Sequence, residues 1–180
     1  MIMRKCIAFL RAINVGGHRV LMDELCRLFV DAGMFNVQTF LASGNVIFDK
    51  GTEDATILED DLERQFSAKF GFESKIMIRS LEELQTIGAY GAFPSGEIEH
   101  AGAFNVAFLK RNISADAEKN LMALQNELDR FHVHGKEVYW LCAAKQSESK
   151  FSNVVLEKTT GLPSTLRGIS TIDKLIKKYA

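Results

Sequence analysis

Few residues of the kinds that specialised architectures depend on are present. The 180 residues include two prolines and three cysteines, and 22 Lys and Arg stand against 23 Asp and Glu, for a formal net charge of −1. Odd in number and widely spaced, Cys6, Cys26 and Cys142 build no disulfide framework and fit a reducing cytosol. Disorder is excluded too, because it needs few apolar residues and high net charge, whereas 47% of this chain is apolar. The balanced charge gives no general electrostatic pull toward nucleic acid or anionic lipid. No apolar run approaches the roughly 20 residues that span a bilayer, so no membrane partner is expected. Met1-Ile2-Met3-Arg4-Lys5 leads into no long apolar stretch with a small-residue cleavage site behind it, and the expected location is cytoplasmic.

What is there is a regular alternation of short apolar runs and helical periodicities. Residues 5–10 read as a buried strand, followed by the polar, glycine-bearing stretch 14–19. Leu21, Leu25, Leu28, Phe29 and Ala32 recur at helical spacing, with Gly33 as the stop. Strands at 37–41 and 46–48 flank Ser43-Gly44-Asn45, three residues suited to a hairpin with a glycine bulge. Leu58, Leu62, Phe66 and Phe70 mark the next helix, and 76–78 a strand, which gives the order β-α-β-β-α-β. Ser80 opens a further helix with Glu83 in capping-box position, and 91–102 read as a surface connector.

The second half repeats the pattern. A strand at 104–109 precedes a helix opened by Ser114 and lined by Ala117, Leu121, Leu124 and Leu128. Strands at 131–134 and 138–142 turn at Gly135; a helix near 150–158, a strand near 165–167 and a final helix capped by Ser170 follow. Ala8-Phe9-Leu10-Arg11 echoes Ala107-Phe108-Leu109-Lys110, and Ser43-Gly44-Asn45 falls where His134-Gly135-Lys136 falls. The expected fold class is α+β: two ferredoxin-like (βαββαβ) repeats with antiparallel sheets and extra helices. Residues 1–79 form the first repeat, 80–102 a helix and connector, and 103–180 the second repeat with its C-terminal helix.

That topology decides which loops meet. A right-handed crossover makes strand two run parallel to strand one, so residues 11–19 and 43–45 converge at one edge. The cluster offers Arg11, Asn14, Gly16, Gly17, His18, Arg19, Ser43, Gly44 and Asn45. Arginine, turn amides and close-approaching glycine backbone suit a phosphate or carboxylate. Ordinary loop chemistry explains the same residues, since Asn and Gly tolerate positive φ. Asp23 and Glu24, in the first turn of the next helix, would repel an anion there, so Arg11 and the turn amides would have to hold it. Gly16-Gly17 has neither Walker nor dinucleotide spacing.

Other constellations carry less. His132 and His134 share a strand face and Cys142 lies on the partner strand, but a fourth zinc ligand is not evident and no metal is expected. Cys6 and Cys26 lie on apolar stripes as inert core residues. Glu59, Asp60, Asp61 and Glu63 read as a solvated helix face. No nucleophile pairs with His18, which leaves open whether the protein is an enzyme. Strand three, Asn45-Val46-Ile47-Phe48, has no aromatic platform for RNA, so nucleic acid is disfavoured.

The run Leu10-Arg11-Ala12-Ile13-Asn14-Val15-Gly16-Gly17, then Met22, then Ala42-Ser43-Gly44-Asn45-Val46, resembles the DUF1697 family of bacterial proteins. Ser149-Lys150-Phe151, Glu157, Gly161, Thr165, Arg167, Thr171 and Leu175 fit that family's C-terminal pattern, while Gly168-Ile169-Ser170 departs from it. The resemblance implies a ferredoxin-like architecture in a cytoplasmic protein and adds Lys150 and Arg167 as secondary ligand candidates; it implies no cofactor and no particular reaction. The leading expectation is an anionic small molecule, a nucleotide or other phosphate-bearing compound, at the first-repeat loops. The alternatives are a homodimeric scaffold without a small-molecule site and an enzyme of unknown reaction.

Overall fold

Short apolar runs pair into sheets here because their residues alternate between two faces, each of which finds cover. The computed structural model describes residues 3–41, 44–51 and 54–180. In chain order the elements are β1 (Arg4–Leu10), α1 (Met22–Asp31), β2 (Phe35–Thr39), β3 (Asn45–Lys50), α2 (Ala55–Phe70), β4 (Ile76–Ser80), α3 (Leu81–Ala89) and α4 (Ser95–His100). Then come β5 (Ala103–Leu109), α5 (Ala115–Met122), β6 (Asp129–His134), β7 (Glu137–Cys142), α6 (Asn153–Thr160), β8 (Ser164–Gly168) and α7 (Ile169–Tyr179). The fold is α+β, with two four-stranded antiparallel sheets ordered β2-β3-β1-β4 and β6-β7-β5-β8. Two compact units divide the chain, one of Met1–Gln85 with Lys178–Ala180, the other of Thr86–Lys177. No described helix is long and apolar enough to cross a membrane.

In the first unit, Ala8, Leu10, Val46, Phe48, Ile76 and Ile78 share one sheet face with Leu25, Leu28 and Phe29 of α1 and Leu58, Leu62 and Phe66 of α2. Ile7, Phe9, Ile47 and Met77 alternate onto the other face and are fully buried as well. In the second unit, Ala107, Leu109, Val138, Trp140 and Cys142 meet Leu121 of α5 and Leu156 of α6.

The outer edge of β4 is closed by side chains. Glu59 and Glu63 sit one turn apart on α2; Glu59 Oε1 accepts the Ile78 N–H at 2.7 Å and Glu63 Oε1 the Ile76 N–H at 2.9 Å. Glu63 Oε2 also pairs with Lys75 Nζ at 3.0 Å. The expected solvated acidic face is therefore corrected: Glu59 is 2% exposed. An edge strand presents unpaired amides, and carboxylates satisfy them with charge-assisted bonds. The second unit repeats the device. Glu157 Oε1 accepts the Ser164 N–H at 2.8 Å, and Ser164 faces Leu109 in register as Ile76 faces Leu10.

Other departures from the sequence reading have local causes. Residues 91–102 are no bare connector: Pro94 precedes α4, a helix too short to show periodicity. The helix opened by Ser114 ends at Met122, so it does not reach Leu124 and Leu128. Asn126 Oδ1 instead takes the amides of Leu128 at 2.8 Å and Asp129 at 3.1 Å, which folds the chain into a turn. Strand β2 starts two residues early and is irregular, with Asn36 at φ 50°. The helix placed near 150–158 starts at Asn153, capped by Ser152. Ser170 is not a cap, because α7 begins at Ile169 directly after β8. The capping box is present in both directions, with Glu83 N–H to Ser80 Oγ at 3.1 Å and Ser80 N–H to Glu83 Oε2 at 2.7 Å.

Glu59→Ala leaves a buried amide without an acceptor and should cost about 1–3 kcal/mol in urea unfolding. Glu59→Gln, which keeps an oxygen there, should recover most of that loss.

Candidate functional site

The end of β1 is held from two sides. Leu10 N–H donates to the Gly44 carbonyl at 2.8 Å, while Arg11 N–H donates to the Lys75 carbonyl at 2.9 Å. Ser74 Oγ donates to the Arg11 carbonyl at 2.8 Å. Arg11 therefore leaves the sheet at a fixed point between the β2–β3 hairpin and the segment that enters β4. Gly44 has φ 72°, and a Cβ there would lie 3.2 Å from Ile13 Cδ1 and 3.3 Å from Leu10 Cβ. Its close approach is what brings hairpin and loop into contact.

Beyond Arg11 the chain folds back on itself. Ile13 and Val20 are both buried and anchor the two ends of the loop. Asn14 Oδ1 accepts the Val20 N–H at 3.0 Å, and His18 N–H donates to the Val15 carbonyl at 3.2 Å. Gly16 and Gly17, at φ 64° and 87°, make the turn between them. The exposed His18 ring stacks on Phe72 with centroids 4.0 Å apart and planes 14° apart.

Helix α1 starts immediately after this loop, and its N-cap, Leu21, supplies no side-chain hydrogen bond. Helix N-caps are ordinarily Ser, Thr, Asp or Asn, whose oxygen takes a first-turn amide. A cavity of about 380 Å³ opens at this end, lined by Asn14, His18, Arg19, Val20, Leu21 and Met22. Asp23 and Glu24 add negative charge to the first turn.

The structure thus brings Arg11, Gly44 and Asn45 together and sets Asn14, Gly16, Gly17 and His18 in one closed loop. Asn45 is fully buried, and its Nδ2 donates to the Phe40 carbonyl at 2.9 Å, so it shapes the hairpin from within. Ser43 lies outside the described residues. Arg19 lines the cavity although sequence reasoning gave it less weight than Arg11. The signal that could have raised it was the leucine at the N-cap, legible at position 21.

Lys150 and Arg167 belong to the second unit. Around Lys150 the motif is architectural: Ser149 Oγ donates to Asp129 Oδ2 at 2.7 Å and accepts the Phe151 N–H at 2.8 Å. Phe151 meets Phe131 and Trp140, whose Nε1 donates to Asp129 Oδ1 at 2.7 Å. Lys150 itself faces solvent. Arg167 Nη1 donates to Thr165 Oγ1 at 2.7 Å and to the Leu166 carbonyl at 2.8 Å. Burial pulls its guanidinium down to about 10, which leaves it charged at neutral pH. Arg79 occupies the equivalent position in the first unit, opposite Ile7 as Arg167 is opposite Val106.

The histidine pair reads differently in three dimensions. Tyr90 bridges it, with its hydroxyl 2.9 Å from His132 Nε2 and its ring stacked on His134 at 4.1 Å. Cys142 alternates onto the opposite, helix-covered face with Trp140, so it does not join the two histidines. Among the described residues no group of three or more His, Cys, Asp or Glu could hold a metal ion. Burial, then Glu83, pushes the Cys6 thiol up to about 11, and burial, then Asp23, raises Cys26. Neither is a thiolate at neutral pH.

A family model described as "Protein of unknown function (DUF1697)" matches residues 3–139. The solved structure of a conserved bacterial protein from Streptococcus pneumoniae superposes with a TM-score of 0.78 at 22% identity, over 98% of each chain. At that identity the likeness is one of fold. No functionally curated protein matches the chain.

Two tests follow from these local geometries. Gly44→Ala must place a side chain at positive φ against Leu10 and Ile13, and should lower stability by about 1 kcal/mol or more in denaturant titration. The Cys6 thiol has a folded pKa near 11 against an ordinary 9.0, so unfolding releases its proton more readily. Its contribution is complete below the ordinary value and falls away as pH rises through that window. Cys6→Ala should accordingly flatten the alkaline decline in stability relative to the parent chain.

Proposed function

The chain belongs to the DUF1697 family of proteins of unknown function, and for this member we propose that the first-unit loop rim binds an anionic small molecule, a nucleotide or another phosphate-bearing compound. The observation that carries the reading is the start of α1: a helix N-terminus without a side-chain cap, opening into a cavity bordered by His18 and Arg19. First-turn amides and the helix dipole favour an anion at such a place. Asp23 and Glu24 oppose it, so the amides alone are insufficient and the guanidinium of Arg19, with Arg11 at the neighbouring strand end, must supply the attraction. The His18–Phe72 stack adds a rigid aromatic plane of the kind on which a base rests. Asn14 and the glycine pair shape the loop that carries these groups; no acid–base role is assigned to His18.

The fold reading that supports this is that each unit is a ferredoxin-like repeat. Element order β-α-β-β-α-β recurs in both, the strand orders match, and Glu63 with Glu157 and Arg79 with Arg167 occupy matching places. We further infer a cytoplasmic setting from three unpaired cysteines.

Isothermal titration with ATP and with inorganic pyrophosphate tests the proposal. Saturable binding is expected, weakened about tenfold by Arg19→Ala and similarly by Arg11→Ala, since each removes a charge-assisted contact. A chain that binds neither compound but dimerises with concentration would favour the scaffold alternative.

A further inference from the structure

The second unit has a cavity of its own, unconnected with the loop reading above. It holds about 240 Å³, below the usual range for drug-sized ligands, and so has the size of a fragment. Glu97 and His100 come from α4, Glu127 and Leu128 from the turn after α5, Arg130 from β6 and Leu141 from β7. We propose that this cavity binds a small primary amine, with a protonated ammonium head and a short apolar body.

The polar groups define the head. His100 Nδ1 lies 2.7 Å from the Gly96 carbonyl; a carbonyl only accepts, so Nδ1 is the donor and the other ring nitrogen, Nε2, is not used by this bond. Arg130 is already matched: its guanidinium is ion-paired with Glu97 and lies over the Phe93 ring, 5.9 Å from the centroid. Glu127 makes no hydrogen bond or ion pair among the described residues. The Glu97–Arg130 pair is therefore internally balanced, and the Glu127 carboxylate is the lining charge without a partner among the described residues. That set disfavours an anion and leaves an acceptor surface for a group rich in N–H donors.

The rest of the lining defines the body. Leu128 is 37% exposed and Leu141 closes the floor at 5%, so an apolar tail has a surface to cover. The turn that presents Glu127 and Leu128 is held by hydrogen bonds. Asn126 Oδ1 takes the Leu128 and Asp129 amides, the Leu128 carbonyl accepts the Ala143 N–H at 2.8 Å, and Asp129 is buried under the Trp140 bond. A preformed site loses little freedom on binding.

Three matched probes separate head from body: 2-phenylethylamine, 2-phenylethanol and 3-phenylpropionate, titrated into the whole chain by amide NMR. Saturable shifts are expected at Ala101, Leu128 and Ala143, with the amine tightest and the carboxylate weakest. Glu127→Gln, at an exposed position, should shrink the amine-over-alcohol preference about threefold, the scale of a solvent-accessible charge contact, without altering alcohol binding. Equal binding of all three probes, amine shifts that cluster elsewhere, or an unchanged preference in Glu127→Gln would overturn the proposal.

Discussion

The first unit depends on a bond between a helix carboxylate and the outer edge of a strand. Strand β4 has a neighbour on one side alone, so half its amides face away from the sheet. Glu59 and Glu63 reach across from α2 to take two of them. This pins the helix to the sheet edge as well as to its face and removes the template that a bare edge offers to other chains. The same carboxylate of Glu63 that holds Ile76 holds the Lys75 ammonium. Lys75 and Ser74 in turn hold the backbone of Arg11. A chain of direct contacts thus runs from the edge to the loop rim.

That rim is shaped from within by groups whose polar atoms face inward. Asn45 braces the hairpin, Asn14 closes the loop, and Gly44 lets the two touch. The anion site proposed at this rim draws on His18, Arg19 and the first turn of α1, with Arg11 at the neighbouring strand end. The second unit distributes its groups otherwise. Asp129 gathers Trp140 and Ser149 into a buried knot, while Glu127 and His100 lie exposed around a small cavity that Leu128 and Leu141 also line.

Much of this was legible in the sequence, because the strands and long helices carry strong periodicity. The pairing that sets Phe9 opposite Asn45, and hence Arg11 beside the hairpin, comes from strand order, which places β3 next to β1, rather than from local pattern. Where the reading failed, a tertiary partner had changed the meaning of a residue. Glu59 and Glu63 look like surface charges until a strand edge lies within their reach. Leu124 and Leu128 continue the spacing of Leu121, but Asn126 captures two amides and ends the helix first. Cys142 is near His132 in sequence terms, yet one step of strand alternation puts it on the far face. Helix α4 is shorter than any window that could have revealed it.

The contact chain from Glu63 to Arg11 is most directly tested by native-state amide hydrogen exchange. In the parent chain the Ile76 and Arg11 amides should both be protected, although Ile76 points away from the sheet. Glu63→Ala should accelerate exchange at both, while Val46, in the sheet interior, stays slow. Rapid exchange of Ile76 in the parent chain, or an Arg11 amide indifferent to Glu63→Ala, would contradict the account.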